Sequence, residues 1–379
     1  MSGHGVVSAD SHVMEPGDLW QERLPKRFRE RSPGVIENPE EQGPRWLFAV
    51  EGASPFPIAG GFAAGRSGEE LRDFMSQGYE GARPSGWDPA ERMKDQDLDG
   101  VDAEVLYPTL GMPIFSMLDA LLQRACFQVY NDWLAEYCHY NPKRLYGIGL
   151  ISLEDIDLAV QDVEAIAKQG MRGAMIWGAP PEERPYSDPS YDPFWRAASE
   201  TRLPVSLHII ASRGRRTVGV GDKTLGAATV NPGLWYSTVL HEIQESLATL
   251  VFGGVLARFP KLRIVSAEND VGWLPHFIYR MDHAYEKWGN LWTDDNPLRP
   301  SEYMRRQVWA TFQDDPIGPR THDIFGAENY MWASDFPHSD STFPESRAFI
   351  EKNFAGVPEP VRQHIVYDNA VSLYEMDLD

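Results

Sequence analysis

Short apolar runs recur along the chain, separated by longer segments in which apolar positions fall three and four apart. The short runs, rich in β-branched and aromatic residues and bounded by turn formers, predict strands at about 5–10 (GVVSAD), 101–107 (VDAEVLY), 144–150 (RLYGIGL), 172–177 (RGAMIW), 204–209 (PVSLHI), 261–267 (KLRIVSA), 306–312 (RQVWATF) and 329–334 (NYMWAS). The longer segments carry helical period and punctuation. In 153–169, Ile156, Val160, Val163 and Ala167 share one face and Gly170 supplies the stop. Further helices are expected at 117–139, 191–200, 237–258 (ending before Pro260), 275–286 and 343–354, and Asp88-Pro89 opens one before the second strand. Strand and helix alternating eight times argue for parallel strands joined by right-handed crossovers, closing as a (β/α)₈ TIM barrel that takes residues 1–379 as one domain. An open, doubly wound sheet is the alternative. It would show a glycine-rich turn after the first strand, where this chain has Asp10-Ser-His12.

Two stretches break the rhythm. Residues 32–87, rich in Gly and Pro, form a long insertion after strand one. Residues 210–236 follow strand five and mix glycines with Arg213, Arg215 and Arg216. Both follow strand ends on the face where barrel active sites lie, so they are expected to cover a pocket, the second as a lid loop.

Composition narrows the function class. The 379 residues carry a formal charge of −21, which disfavours a nucleic-acid backbone or an anionic membrane surface as partner. Hydrophobic residues make up 42%, enough for a sizeable core. Only Cys126 and Cys138 are present, too few for a disulfide framework or a thiolate metal site and in keeping with a reducing compartment. No apolar run reaches membrane-spanning length, and MSGHGVVSAD lacks a basic-then-hydrophobic signal segment, so the expected location is the cytoplasm.

The candidate chemistry sits at strand ends. Asp10 and His12 are two apart at the end of strand one, so strand periodicity points both side chains the same way and Ser11 the other. His208 ends strand five and Asp335 ends strand eight. Singly, each would more often be a structural residue. In a barrel, however, the carboxyl ends of these strands open onto a common floor, where two imidazoles and two carboxylates suit one divalent ion with a position left for water. Trp177 and Tyr107, ending strands four and two, are candidates for an aromatic wall around a substrate, with core packing as the alternative. Among the three arginines of the lid, Arg213 is the candidate clamp for a substrate carboxylate, the others being solvated loop surface.

The chain resembles the amidohydrolase superfamily, in the amidohydrolase-2 group that includes aminocarboxymuconate-semialdehyde decarboxylase, γ-resorcylate decarboxylase and related metal-dependent hydrolases. The matching segments are Asp10-Ser-His-Val-Met-Glu-Pro16, Trp87-Asp-Pro, Asp97-Leu-Asp-Gly-Val-Asp-Ala103, the run from Phe252 to Leu262, Glu268-Asn-Asp-Val-Gly-Trp-Leu-Pro275, Ser334-Asp-Phe-Pro-His338 and Asn369-Ala-Val-Ser-Leu-Tyr374. The resemblance implies a mononuclear site with Asp10, His12, His208 and Asp335 as ligands. Zn²⁺ is the default ion and Mn²⁺ or Fe²⁺ the alternatives; Asp10, where many members have histidine, shifts the preference towards harder metals. A second departure follows strand six. Relatives use a histidine there as acid/base, whereas this chain reads Ala267-Glu268-Asn269-Asp270, which counts against the decarboxylase analogy.

Glu268, or His241 near the start of the helix before strand six, is therefore expected to carry the proton. His338, three residues past Asp335, is expected to orient that aspartate. The activity expected from this pattern is hydrolysis of a small carbonyl compound (an amide, an ester or lactone, or a C–C bond next to a ketone) by metal-activated water, with Asp335 taking the proton. The alternative is non-oxidative decarboxylation of an aromatic or dienoic acid, and the third reading is a barrel that binds without catalysis. The implied partner is a small molecule, carboxylate-bearing or aromatic. The resemblance and the 12 Trp also imply a homo-oligomer, a dimer first.

Overall fold

Eight parallel strands hydrogen-bond side by side in the order β1-β5-β6-β7-β8-β9-β10-β11, which is chain order once an inserted sheet is set aside. In this computed structural model, which describes residues 5–38, 44–213, 237–289 and 297–378, they are β1 Val7–His12, β5 Ala103–Tyr107, β6 Leu145–Leu150, β7 Gly173–Ile176, β8 Val205–His208, β9 Ile264–Ala267, β10 Val308–Phe312 and β11 Tyr330–Trp332. Asp335 N–H donates to Asp10 O at 3.0 Å and His12 N–H to Phe336 O at 2.7 Å, so the chain after β11 is stitched to β1 and the barrel closes. The strands are buried along almost their whole length, as expected of parallel strands with helices on one face and a filled interior on the other. Among the described residues no helix is long and apolar enough to cross a membrane.

Local chemistry sets the helix boundaries. Asp88 accepts from Ala90 N–H at 2.8 Å and Pro89 takes the first turn of the helix Pro89–Asp99. Asp119 and Asp155 cap Ala120–His139 and Ile156–Lys168 in the same way. Gly170, at φ +88°, turns the chain after the second of these.

Three expectations are corrected. β1 runs on to His12, so Asp10 and His12 lie within the strand; a bulge between Ser8 and Ser11 inserts one residue against β5. The expected strand at 306–312 begins at Val308, because Arg306 and Gln307 close a helix, Pro300–Gln307, that Pro300 initiates. The insertion at 32–87 has structure of its own, an antiparallel sheet of β2 Gly34–Glu37, β3 Trp46–Ala49 and β4 Phe56–Pro57. It is anchored to the loop after β11 by Ala64 N–H to Pro337 O at 3.0 Å and Ser339 N–H to Gly60 O at 2.9 Å. Gly61 lets the insertion also pack against the loop after β5, since a Cβ there would meet Thr109 Cγ2 at 2.7 Å. Residues 214–236, most of the expected lid with Arg215 and Arg216, lie outside the described residues.

Candidate metal centre

At the carboxyl ends of the strands, Asp10 and His12 from β1, His208 from β8, Glu268 just after β9 and Asp335 after β11 converge. His12 Nε2 lies 3.5 Å from Asp10 Oδ1, 3.3 Å from Asp335 Oδ1 and 3.7 Å from Glu268 Oε2. His208 Nε2 lies 3.7 Å from Asp10 Oδ1 and 3.5 Å from Glu268 Oε2. Metal–ligand bonds of about 2.0–2.2 Å put neighbouring donors roughly 3.0–3.6 Å apart, so these separations lie at or just above the edges of a coordination polyhedron. Five of the converging atoms, Asp10 Oδ1, His12 Nε2, His208 Nε2 and both carboxylate oxygens of Asp335, are buried without a hydrogen-bond partner. Buried polar atoms left bare are costly unless something else satisfies them. A divalent cation fits that donor set.

The supporting contacts aim the donors. His12 Nδ1 is 2.7 Å from Pro108 O and His208 Nδ1 is 3.0 Å from Ile209 O; a carbonyl can only accept, so each Nδ1 carries a proton and each Nε2 is the atom turned to the centre. Thr311 Oγ1 donates to Asp10 Oδ2 at 2.9 Å and accepts from Glu268 N–H at 2.8 Å. This contact explains how Glu268 reaches the centre. Ala267 pairs with His208 and shares its inward face, so the next residue of an extended strand would point out to the helices. Glu268 instead adopts φ +54°, a left-handed backbone that costs a non-glycine residue about 1–3 kcal/mol and that the Thr311 bond helps hold. Asp335 has the same backbone, φ +55°.

His338 Nδ1 lies 2.9 Å from Asp335 Oδ1, and its ring stacks on His12 with centroids 3.9 Å apart. Its Nε2 is 2.9 Å from Thr109 Oγ1, which donates its own proton to Val13 O, so His338 Nε2–H is the donor there and Nδ1 faces Asp335 with a lone pair. Burial, then the charge of Asp10, pushes the Asp335 carboxyl well above the usual range, and burial lowers the neighbouring His338. Burial, reinforced by Asp335, likewise raises Glu268. Burial, then the neighbouring His338 and His208, holds His12 neutral. At His208 burial opposes the charged form, but the adjacent Asp10 carboxylate outweighs it and pushes the imidazole up to about 9.

Two predictions follow from the donor set. A proton held by His208 must leave before a cation binds, so metal affinity, measured by chelator competition, should rise about tenfold per pH unit from pH 6 to 9. A flat profile would show that His208 does not titrate against the metal. His208→Ala should lower metal affinity by more than about 100-fold, exceeding the usual effect of losing a residue that merely orients a ligand; full metal content by mass spectrometry would remove His208 from the ligand set.

The other candidates fall elsewhere. His241 is exposed at the start of the helix His241–Phe252 and, among the described residues, makes no hydrogen bond or ion pair with Glu268. Tyr107 is buried beneath the centre, its ring 5.1 Å from that of His208 and its hydroxyl pointing down to Ser206 Oγ at 2.8 Å, so it is floor and not wall. Arg213 ion-pairs with Glu154 at 2.6 Å and donates to Met117 O at 2.8 Å, which ties its guanidinium to neighbouring loops. Trp177 is buried, lies one residue past the Ile176–Leu207 pair and so shares the inward face of His208, with its Nε1–H lacking a partner.

The sequence reading missed Thr311, Thr109 and a buried pair, Arg92 and Glu104. Arg92 Nε donates to Glu104 Oε2 at 2.6 Å and Nη1 to His12 O at 2.7 Å. Inward alternation in β10 could have flagged Thr311. Nothing local marks the others.

A parallel barrel that gathers imidazoles and carboxylates at the carboxyl ends of its strands defines a metal-dependent barrel enzyme. The chain belongs to the amidohydrolase family, whose model matches residues 56–376. It is 24% identical over 258 residues to 2-amino-3-carboxymuconate-6-semialdehyde decarboxylase of Dictyostelium discoideum, covering 66% of this chain and 67% of that one. Among solved structures, an amidohydrolase from Mycobacterium avium subsp. paratuberculosis superposes with a TM-score of 0.76 at 22% identity, covering 99% of this chain and 100% of that one. The 5-carboxyvanillate decarboxylase of Novosphingobium aromaticivorans, solved with manganese and 4-hydroxy-3-methoxy-5-nitrobenzoic acid, superposes with a TM-score of 0.67 at 17% identity, covering 98% and 96%.

Proposed function

We propose that this enzyme decarboxylates a small aromatic or dienoic carboxylic acid with the help of one divalent cation. The observation that carries the reading is the ring of bare, buried donor atoms with a single partly open acid beside it: Glu268 is 17% exposed, Asp335 only 1%. Similarity to decarboxylases of a carboxymuconate and of an aromatic acid supports it. Asp10, His12, His208 and Asp335 would hold the cation. Mn²⁺ is favoured over the Zn²⁺ default, because the carboxylate-rich set is hard and because the Novosphingobium neighbour was solved with manganese. When bound, the cation supplies charge neutralisation for the substrate carboxylate and an adjacent hydroxyl or carbonyl oxygen.

The chain's own residues supply the proton. Glu268, whose carboxyl burial and the nearby Asp335 raise, gives its proton to the carbon that bears the carboxylate; the bond to the carboxylate carbon then breaks, its electron pair stays with the carbon skeleton, and carbon dioxide leaves. The indole N–H of Trp177, buried without a partner, would donate to the bound acid.

Hydrolysis remains the second reading, favoured by Glu268 standing where decarboxylating relatives have histidine. Manganese-loaded protein incubated with 2,6-dihydroxybenzoate, 5-carboxyvanillate and a carboxymuconate semialdehyde should release carbon dioxide. Turnover of aryl esters or lactones with no carbon dioxide from any of these acids would overturn decarboxylation in favour of hydrolysis.

A further inference from the structure

The amino-terminal end of the barrel holds a cavity of about 940 Å³, within the size range of about 300–1,000 Å³ typical of small-molecule pockets. Arg202 and Arg263 stand just before β8 and β9, and Arg306 just before β10, whereas the metal donors stand at the opposite strand ends. The five residue steps from Arg263 to Glu268 span roughly 16 Å of extended chain. Six of the chain's 35 Lys and Arg line the cavity (Arg196, Arg202, Arg258, Lys261, Arg263 and Arg306), with Glu200 the one lining carboxylate. In a chain of net charge −21 this is a local reversal of sign.

The charge is only partly answered. Asp192 pairs with Arg258 at 2.8 Å, and Glu375 is shared by Arg202 at 2.7 Å and Arg263 at 3.6 Å. Arg306 donates to neutral acceptors, Gln307 Oε1 and Leu256 O. Among the described residues no carboxylate pairs with Arg196 or Lys261. Cations do settle at helix carboxyl ends, and the helices Asp192–Thr201, Val255–Arg258 and Pro300–Gln307 all end here. Three helix ends nevertheless need fewer than six cations, and dipole compensation does not call for a cavity between them. Half-buried Trp309 also lines it, offering a flat apolar surface.

We propose that this cavity binds a small polyanion bearing two or more phosphate or carboxylate groups, at the barrel face opposite the metal centre. Phosphate and carboxylate share the recognising chemistry, guanidinium and ammonium donors arranged around one space. The test is calorimetric titration of metal-loaded protein with tripolyphosphate and, separately, with tricarballylate, against the Arg196→Ala/Lys261→Ala double variant. Neither of these side chains has a described partner, so the variant should melt like the wild type. One-site binding of at least one probe, weakened fivefold or more in the double variant, is the expected result, and the tighter probe names the preferred headgroup. Any metal drawn off by the probe would be the same in both proteins and would not generate the difference. No saturable binding of either probe, or a loss under fivefold, overturns the proposal. So does an equal loss in Arg23→Ala/Lys94→Ala, which removes the same charge elsewhere. Binding is read independently of turnover, so failure here leaves the catalytic reading standing.

Discussion

Glu268→Gln should retain its metal and turn over about 10²–10⁴-fold more slowly, the contribution of a positioned general acid. The amide keeps the shape of the side chain and removes only the transferable proton. Metal retention is expected because Asp10, His12, His208 and Asp335 still surround the cation position, with His12 Nε2 3.3–3.5 Å from both aspartates. A pH profile adds a second readout. Burial and the nearby Asp335 raise the Glu268 carboxyl, and the acid form is the donor, so turnover should fall as pH rises through its pKa and the variant should lack that limb. Normal turnover would show that another group carries the proton. Loss of metal would show that Glu268 is a ligand.

Arg92→Met should cost about 3–5 kcal/mol of stability, the penalty for stranding the partner of a buried ion pair. Arg92 is fully buried and grips Glu104 through two hydrogen bonds, 2.6 and 3.0 Å long. Its remaining donors reach His12 O at 2.7 Å and Phe336 O at 3.3 Å. The loss would therefore fall on the backbone that carries His12 and follows Asp335. Denaturant unfolding of the metal-free protein measures the cost, and a change below about 1 kcal/mol would show that the pair is replaceable. Because His12 O also loses this donor, whereas Phe336 O keeps the bond from His12 N–H, a compensating Glu104→Leu should recover only part of the stability.

The barrel was legible because hydrophobic periodicity is local. Each of the eight parallel strands falls within or close to a segment whose apolar run announces it, and the aspartates at positions 88, 119 and 155 set helix starts by hydrogen bonds that span two or three residues. The error at Arg306 and Gln307 is of the same local kind, since a helix end and a strand start share apolar neighbours. The small sheet in 32–87 escaped notice because its strands are two to four residues long and half-exposed, too short to establish a period.

What the chain determined unaided is which residues are placed at the carboxyl ends of the strands: Asp10, His12 and His208 follow from strand position, given a barrel, and Asp335 from its place just past the last strand. Only tertiary structure decided where Glu268 points, because a single left-handed residue, held by a threonine 43 positions away, reverses the alternation that sequence predicts. The same holds for His241 and Arg213, whose surroundings come from helix start points and loop partners distant in sequence. Backbone periodicity is encoded within a few residues, whereas side-chain direction at a strand end and the sign of a cavity depend on contacts between segments that meet only after the sheet closes.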